Sequence, residues 1–474
     1  MRCLFIGLDA FDPEILRNGA GAGDFPVLAR LLARGRSVET ITDPGSYVGS
    51  LWPTVHTGVD PTHHGIYSWA QFEPDTYRMP LCDEREIMAP SIWSRLSQAG
   101  RRVAVIDVPL CKLDPNINGV HVLNWLSHFK TIEGFVTAPA DLAAKLEAKY
   151  GLDPVPSCDA IDRSPDGIER FTNALEGKVK QRTDFALELI ASDNYDFMAL
   201  VYSESHCVGH QCYHLHSKDG SGNGPLMRVY RAIDRALGRV VDACPDSCEI
   251  VLLASHGIGP QSDGNHLAQR LIRRVDRRLK GLGAIPLIHR LLDLVEGNHL
   301  RRFLGPLSRL LPPELPRCAH ARAFAVINSN AALGVRVNLV GRESAGLVAK
   351  ADYDRYLDAL EAMLMSARRP DDGSPAFTEA VRTTKLYEAD PQRIRLPDLM
   401  LTWDHSRPFT SLEVPGVARI AGEPSGHRTG DHREGGLAVF VGRSGHNTPL
   451  PDRIGSAAIA HHILATFDIR VAVG

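Results

Sequence analysis

The stretch EIVLLASHGIG, Glu249 to Gly259, carries the reading of the fold. Residues Ile250 to Ala254 form an apolar run too short for a core helix and without polar alternation. That is how a strand buried on both faces reads. The run stops at Ser-His-Gly, a polar and turn-forming end. Five more segments share this grammar: CLFIGLDAF from Cys3, RVAVIDVP from Arg102, FMALVYSE from Phe197, LPDLMLTW from Leu396 and LAVFVG from Leu437. Long amphipathic stretches lie between them, such as DLAAKLEAKYG from Asp141, GIERFTNALEGKVKQRTDFALELIAS from Gly167 and MRVYRAIDRALGRVVDA from Met227. Buried strands spaced by helices predict an α/β fold, with a central, mostly parallel sheet and helices on both faces. In such sheets ligands bind at the carboxyl ends of the strands. Asp9, Glu204, His206 and His256 all fall at or just past such ends.

A chain of 474 residues can bury a large core. Its 44% hydrophobic and 23% charged content is ordinary for a globular protein. The formal net charge of −3 gives no global attraction to nucleic acid or to an anionic membrane. No apolar run approaches the roughly 20 residues that span a bilayer. The opening MRCLFIGLDAF is interrupted by Asp9, so it reads as a first strand and not as a signal peptide. The nine cysteines are scattered, form no CxxC, and are odd in number. Reduced thiols in a cytoplasmic protein are the expectation.

One segment breaks the rhythm. From Leu267 to Pro312 the chain reads as helical and basic, with RLIRRVDRRLK and HLRRFLGPLSRLLP. Leu267, Leu271, Val275 and Leu279 make one apolar stripe at four-residue spacing, and Arg270, Arg273, Arg274, Arg277 and Arg278 take the other faces. We expect one domain over residues 1–474 with this stretch, 267–312, as a helical cap inserted within it. The stripe needs a surface to bury, either the domain itself or a second copy of the chain in a homodimer.

Five stretches carry residues suited to chemistry. GLDAFDPE places Asp9 at the end of the first strand, where a carboxylate can bind a cation. SYVGSLWPTVHTGVDPTHHGIY supplies the hydroxyls of Ser46, Ser50, Thr54 and Thr57; a hydroxyl at a helix N-terminus beside a metal can be a nucleophile. ESHCVGHQCYHLH sets His206 and His210 four apart, on one face of a helix and close enough to grip one metal, with His214 continuing the stripe. ASHGIG brings Ser255 and His256, and SGHRTGDHREGGLAVFVG brings His432 in a Gly-rich loop before another strand.

The order of these stretches resembles the alkaline phosphatase superfamily, nearest to its type I phosphodiesterase and nucleotide pyrophosphatase branch. The resemblance runs from Cys3 to about Gly442, and is strongest at GLDAFDPE, WPTVHTGVDPTHHGIY, the Gly209–His210 pair, SHG and GDHREGGLAVF. It implies a parallel sheet between helices, two metals, usually zinc, and a Thr or Ser nucleophile that attacks phosphorus. Carried over, Asp9 matches the first-strand ligand, His256 the His of an Asp-His pair, His210 the His of an Asp-to-His spacing, and His432 a late ligand. Three positions depart. Ser255 stands where the family has Asp before the strand-end His, and His206 where it has Asp four residues before His210. Val48 falls at the usual nucleophile position, so Ser46 or Ser50 takes over only if the loop is remodelled.

These departures shape the expected site. Asp9 and His256 alone hold a metal weakly, whereas His206, His210 and His432 are three neutral nitrogens with an open fourth position, a catalytic zinc pattern. We therefore expect one firmly held zinc and a second site that is weak or empty. Ser50 and Glu204 are the expected catalytic groups, and Ser255, His128 and Asn124 the expected substrate contacts. The leading function is a metal-dependent hydrolase of a phosphodiester or related ester, with a small and anionic substrate and no nucleic-acid or membrane partner. Lyase, transferase or cyclising chemistry in a biosynthetic pathway is the alternative on the same scaffold, and a catalytically silent binding protein is the third reading.

Overall fold

The computed structural model describes residues 1–43, 49–128, 134–155, 157–192, 195–216, 222–279, 317–326, 331–424, 426–442 and 450–469. In chain order its strands are β1 (Cys3–Leu8), β2 (Arg36–Ile41), β3 (Val103–Ile106), β4 (Gly119–Leu123), β5 (Val136–Ala138), β6 (Phe197–Tyr202), β7 (Glu249–Ala254) and β8 (Gly257–Pro260). There follow β9 (Ala323–Val326), β10 (Ala332–Val337), β11 (Phe377–Arg382), β12 (Leu399–Trp403), β13 (Ser411–Val414) and β14 (Ala418–Ala421). The last are β15 (Gly430–Arg433), β16 (Gly436–Val441) and β17 (Arg453–Gly455). The chain divides into two compact units, one of residues 1–69, 81–261 and 426–474, the other of residues 70–80 and 262–425.

The first unit is built on a sheet in the order β17-β2-β16-β7-β1-β6-β3-β4-β5. Every residue of β1, β6 and β7 is buried, as their unbroken apolar runs require. The three are parallel and level: Cys3 lies beside Phe197 and Glu249, and Leu8 beside Tyr202 and Ala254. The residues that follow them, Asp9, Ser203 and Ser255, therefore leave the sheet along one rim. Asp107 joins them, because β3 is parallel to β6 and ends with Ile106 beside Leu200. The mostly parallel α/β sheet expected from the sequence is present, with β16 and β5 running antiparallel to their neighbours.

Alternation along the strands sends side chains to two cores. Leu4, Ile6, Leu8, Leu200 and Leu252 pack with Leu16, Leu28, Leu175 and Leu237 from helices on one face. Phe5, Val105, Val201 and Leu253 pack with Val55, Trp93 and Ile463 from helices on the other. The longest helix among the described residues, Pro165–Ala191, starts at Ser164, whose hydroxyl accepts from the Gly167 N–H, and carries Pro at its first position. Its buried stripe runs Phe171, Leu175, Val179, Arg182, Ala186 and Leu189. Each large apolar member stabilises the unit by roughly 1.5–3 kcal/mol; Arg182 is the exception, and its charge needs partners.

The second unit holds a sheet in the order β11-β12-β10-β9. LMLTW of β12 is thus a buried strand as its sequence implies, but of this sheet and not of the large one. Helix Asn265–Arg278 buries Leu267, Leu271 and Val275 against Val335, Leu357, Leu360 and Leu401 of the same unit. The leucine stripe of the basic segment therefore has its surface within the chain. Of the stretch expected as a cap, 280–312 lies outside the described residues.

Candidate metal centre

Helix Glu204–His216 begins where β6 ends, so its first turn stands at the sheet rim. His206 and His210, one turn apart, face the same way. His432 comes from β15, which pairs antiparallel with β8 and sets His432 beside Ile258, just past His256. Glycine lets these elements close up. A Cβ on Gly209 would lie 2.4 Å from Ile258 Cδ1, and one on Gly430 would lie 2.3 Å from the Gly209 carbonyl oxygen.

The result is a tripod. The Nε2 atoms of His206 and His210 are 3.2 Å apart, those of His210 and His432 3.0 Å, and those of His432 and His206 3.0 Å. Nitrogens held about 2.05 Å from a tetrahedral zinc stand ~3.3 Å from one another. The His210 Nδ1–H donates to the Gly430 carbonyl at 2.7 Å, which fixes the tautomer and turns an Nε2 lone pair into the cluster. The Nδ1 atoms of His206 and His432 are buried and make no hydrogen bond. Burial, followed by neighbouring histidines or Arg428, holds all three rings well below the usual imidazole range, so they are neutral as metal ligands must be. A divalent metal fits this donor set.

The resemblance pairs Asp9 with His256 as ligands of a second ion, and the structure engages both otherwise. Trp52 Nε1 donates to Asp9 Oδ1 at 2.9 Å. That contact needs Gly7, where a Cβ would stand 2.5 Å from the indole. Ser255 Oγ accepts from the Ala10 N–H at 3.0 Å and donates to Asp9 Oδ1 at 3.3 Å. It also lies 2.9 Å from His256 Nδ1. With the serine proton on the Asp9 side, His256 Nδ1–H is the donor to Ser255. His256 Nε2 is then an unprotonated nitrogen, buried and without a hydrogen bond. Burial pushes the Asp9 carboxyl up to about 6 and His256 down to about 3. His128 stacks on His206 with ring centroids 3.8 Å apart, and its Nδ1 is 3.7 Å from Asp9 Oδ2. Asp9, His128 and His206 can bring ligand atoms within 4.8 Å of one another.

The other expected site residues are placed differently. Asn124 follows β4 in a left-handed conformation, φ 57°, and is buried. Ser50 caps helix Leu51–Thr57 in sequence, but its hydroxyl points to Asp43 Oδ2 at 3.3 Å and bonds no helix N–H. Thr54 shares that carboxylate at 2.9 Å and also meets His64 Nε2 at 3.1 Å. Val48 and Ser46 lie outside the described residues. Glu204, expected as a catalytic group, is fully buried, and both its oxygens accept from Arg182 Nη1 at 2.7 Å. Arg182 also binds Asp107 and the Leu126 carbonyl. Glu204 is therefore engaged by a buried guanidinium rather than standing alone at the strand end.

Sequence reasoning missed Trp52 and Arg428. Trp52 lies in the quoted SLWPT, and an indole N–H beside a buried carboxylate is a pairing no local spacing announces. Arg428 sits four residues before His432, and its Nη1 is 3.5 Å from His210 Nε2. Proximity in sequence to the late histidine was the one available signal.

A family profile for type I phosphodiesterase / nucleotide pyrophosphatase matches residues 3–413. The chain belongs to this family, which places it among the phosphoester hydrolases. The match stops before His432, whose place in the centre rests on the geometry above. Among solved structures, the chain is similar to phosphonoacetate hydrolase from Sinorhizobium meliloti 1021 in complex with phosphonoformate, at 16% identity and TM-score 0.58, covering 98% of this chain and 95% of that one. Murine ectonucleotide pyrophosphatase / phosphodiesterase 5 aligns at 11% identity and TM-score 0.50, over 100% of this chain and 96% of that one. At these identities the likeness is one of fold. No curated protein matches the chain by sequence.

Proposed function

We propose that this protein is a zinc-dependent hydrolase of a small, anionic phosphodiester or related phosphoester, with one metal held by His206, His210 and His432. The observation that carries the reading is the convergence of three buried Nε2 atoms 3.0–3.2 Å apart. A divalent ion bound there supplies Lewis acidity and a nucleophile at neutral pH. The chain's own part is to keep the three rings neutral and in place, to exclude water by burial, and to offer His256 Nε2 as a proton acceptor beside His432, whose ring centroid is 4.6 Å away. Ser255, His128 and Asn124 are assigned to substrate, and Ser50 is the hydroxyl to test as nucleophile.

The second metal is proposed to be weak or absent, because Ser255 supplies no charge and ties Asp9 to His256. A three-histidine metal with no metal-bridging nucleophile also suits, as a second reading, non-hydrolytic lyase, transferase or cyclising chemistry in a biosynthetic pathway. Nine free cysteines support a reducing compartment and the proposed cytoplasmic setting. No helix among the described residues is long and apolar enough to cross a membrane. Small partners are proposed for the neighbours' reason: those structures hold phosphonoformate, phosphonoacetate and AMP.

The test is elemental analysis of the purified protein, followed by a product screen over phosphodiesters and phosphonates. One zinc per chain, lost in the His206→Ala/His210→Ala double variant, is the expected result. A wild-type protein that carries no metal and gains none from added zinc overturns the reading. Hydrolysis abolished by Ser50→Ala, with a trapped phosphoserine, would assign the nucleophile.

A further inference from the structure

The tripod supplies three neutral ligands, so the positive charge of a bound divalent ion is left for the substrate and the surrounding groups to balance. A second positive group at the rim faces the same space, so an anion bound there would balance both charges. Arg428 Nε and Nη2 form two parallel bonds to Asp159 Oδ1 and Oδ2, at 2.8 and 2.7 Å. Asp159 Oδ1 also accepts from Gln211 Nε2 at 3.0 Å, and Gln211 is the residue after His210. The guanidinium is thus locked by a carboxylate that is itself tied to the histidine-bearing helix. The Arg428 hydrogen bonds hold the Asp159 carboxyl below the usual range. Two of the three guanidinium nitrogens are spent on this lock.

The third nitrogen, Nη1, faces the cluster, 3.5 Å from His210 Nε2. A metal held by His210 Nε2 would take the lone pair that this N–H approaches and leave the Arg428 donor to another acceptor. Of the nearby carboxylates, Asp159 holds the fork, Asp431 accepts from the His432 backbone N–H through Oδ1 at 2.9 Å and acts on Arg428 through its charge, and Asp9 Oδ1 accepts from Trp52 and Ser255. The side chain of Arg428 is 32% exposed, so a ligand can reach it from solvent.

We propose that Arg428 is the anion-binding group of this site, donating from Nη1 to a phosphoryl or phosphonyl oxygen of the substrate while Asp159 and Gln211 hold the guanidinium in position. The proposal rests on the three-histidine metal reading. It adds a specificity determinant that discriminates for oxyanions over neutral esters. Arginine suits the task because its planar fork can be locked on one edge and still donate from the other.

The experiment compares wild type with Arg428→Ala, Arg428→Lys and Asp159→Asn. Metal per chain is measured by mass spectrometry, and binding of inorganic phosphate by titration calorimetry on zinc-supplemented protein. Arg428→Ala should keep the metal and lose phosphate affinity by about 10–100-fold, the range of one charge-assisted hydrogen bond. Arg428→Lys should lose less, and Asp159→Asn should weaken phosphate binding with metal content unchanged. Equal phosphate affinity in wild type and Arg428→Ala overturns the proposal, and so does loss of metal in Arg428→Ala, which would make the arginine a support of the tripod. A wild type without metal refutes the metal reading instead; the phosphate comparison between wild type and variant still decides the role of Arg428.

Discussion

At the scale of single residues, Ser255 stands between the two groups that the proposed reading gives to a second, weak metal site. Its hydroxyl joins Asp9 to His256 where a carboxylate would add a negative ligand. Ser255→Asp restores that charge beside two groups already in place. Metal per chain should rise from one toward two in the variant with excess zinc, measured by elemental analysis; an unchanged count would mean that Asp9 and His256 are not arranged to receive an ion. Arg182 is a second decisive residue. It is fully buried between Asp107 and Glu204. Arg182→Met would strand two carboxylates in the core, and removing one partner of a buried pair costs about 3–5 kcal/mol. Urea denaturation should show a loss of that order, and a variant as stable as wild type would show that the charges reach water.

Among elements, the helix Glu204–His216 and the β8–β15 pair must approach closely enough for His432 to meet His206 and His210. Gly209 and Gly430 permit this, and a Cβ at Gly209 runs into Ile258. Gly209→Ala should push the helix off β8 at a cost of roughly 1–3 kcal/mol. The more telling readout is metal affinity, because displacement opens the Nε2 triangle. A chelator competition should report weaker zinc binding in the variant; unaltered affinity would place the helix contact outside the determinants of the tripod.

Across the whole molecule, the buried histidines outside the metal centre set the response to acid. Burial lowers His56 to about 4 and both His64 and His121 to about 3. Each is neutral in the folded chain, whereas in the unfolded chain it titrates near the ordinary imidazole value of 6.5. Below pH 6.5 the unfolded state binds more protons, so stability falls as pH falls, by about 1.4 kcal/mol per pH unit for each such histidine. The loss should run from pH 6.5 down toward 4 and 3. Urea midpoints measured in the presence of a chelator, which removes the contribution of metal release, should change little from pH 7.5 to about 6.5 and drop from there to pH 5. A flat profile would mean that these rings are solvated.

Local pattern was enough for much of this protein. Short apolar runs define β1, β3, β6, β7 and β16, because a strand buried on both faces needs no polar alternation, and their helical spacers dictate a parallel sheet. The i, i+4 spacing of His206 and His210 determines a shared face, since helix geometry is a property of the chain itself. Partner choice over long distances was not in that pattern. LMLTW has the composition of a core strand, yet the four-stranded sheet claimed it. Glu204 stands at the right strand end for catalysis, and only the packed helix Pro165–Ala191 reveals the arginine that occupies it. Arg428 and Trp52 likewise acquire their roles from side chains that folding brings to them, Trp52 from a strand end more than forty residues away and Arg428 from Asp159 and His210, each more than two hundred away. The sequence by itself determined the strands, the helix faces and the three histidines; the tertiary structure decided which charges they meet, because burial and hydrogen bonding between distant residues are set by packing and not by spacing along the chain.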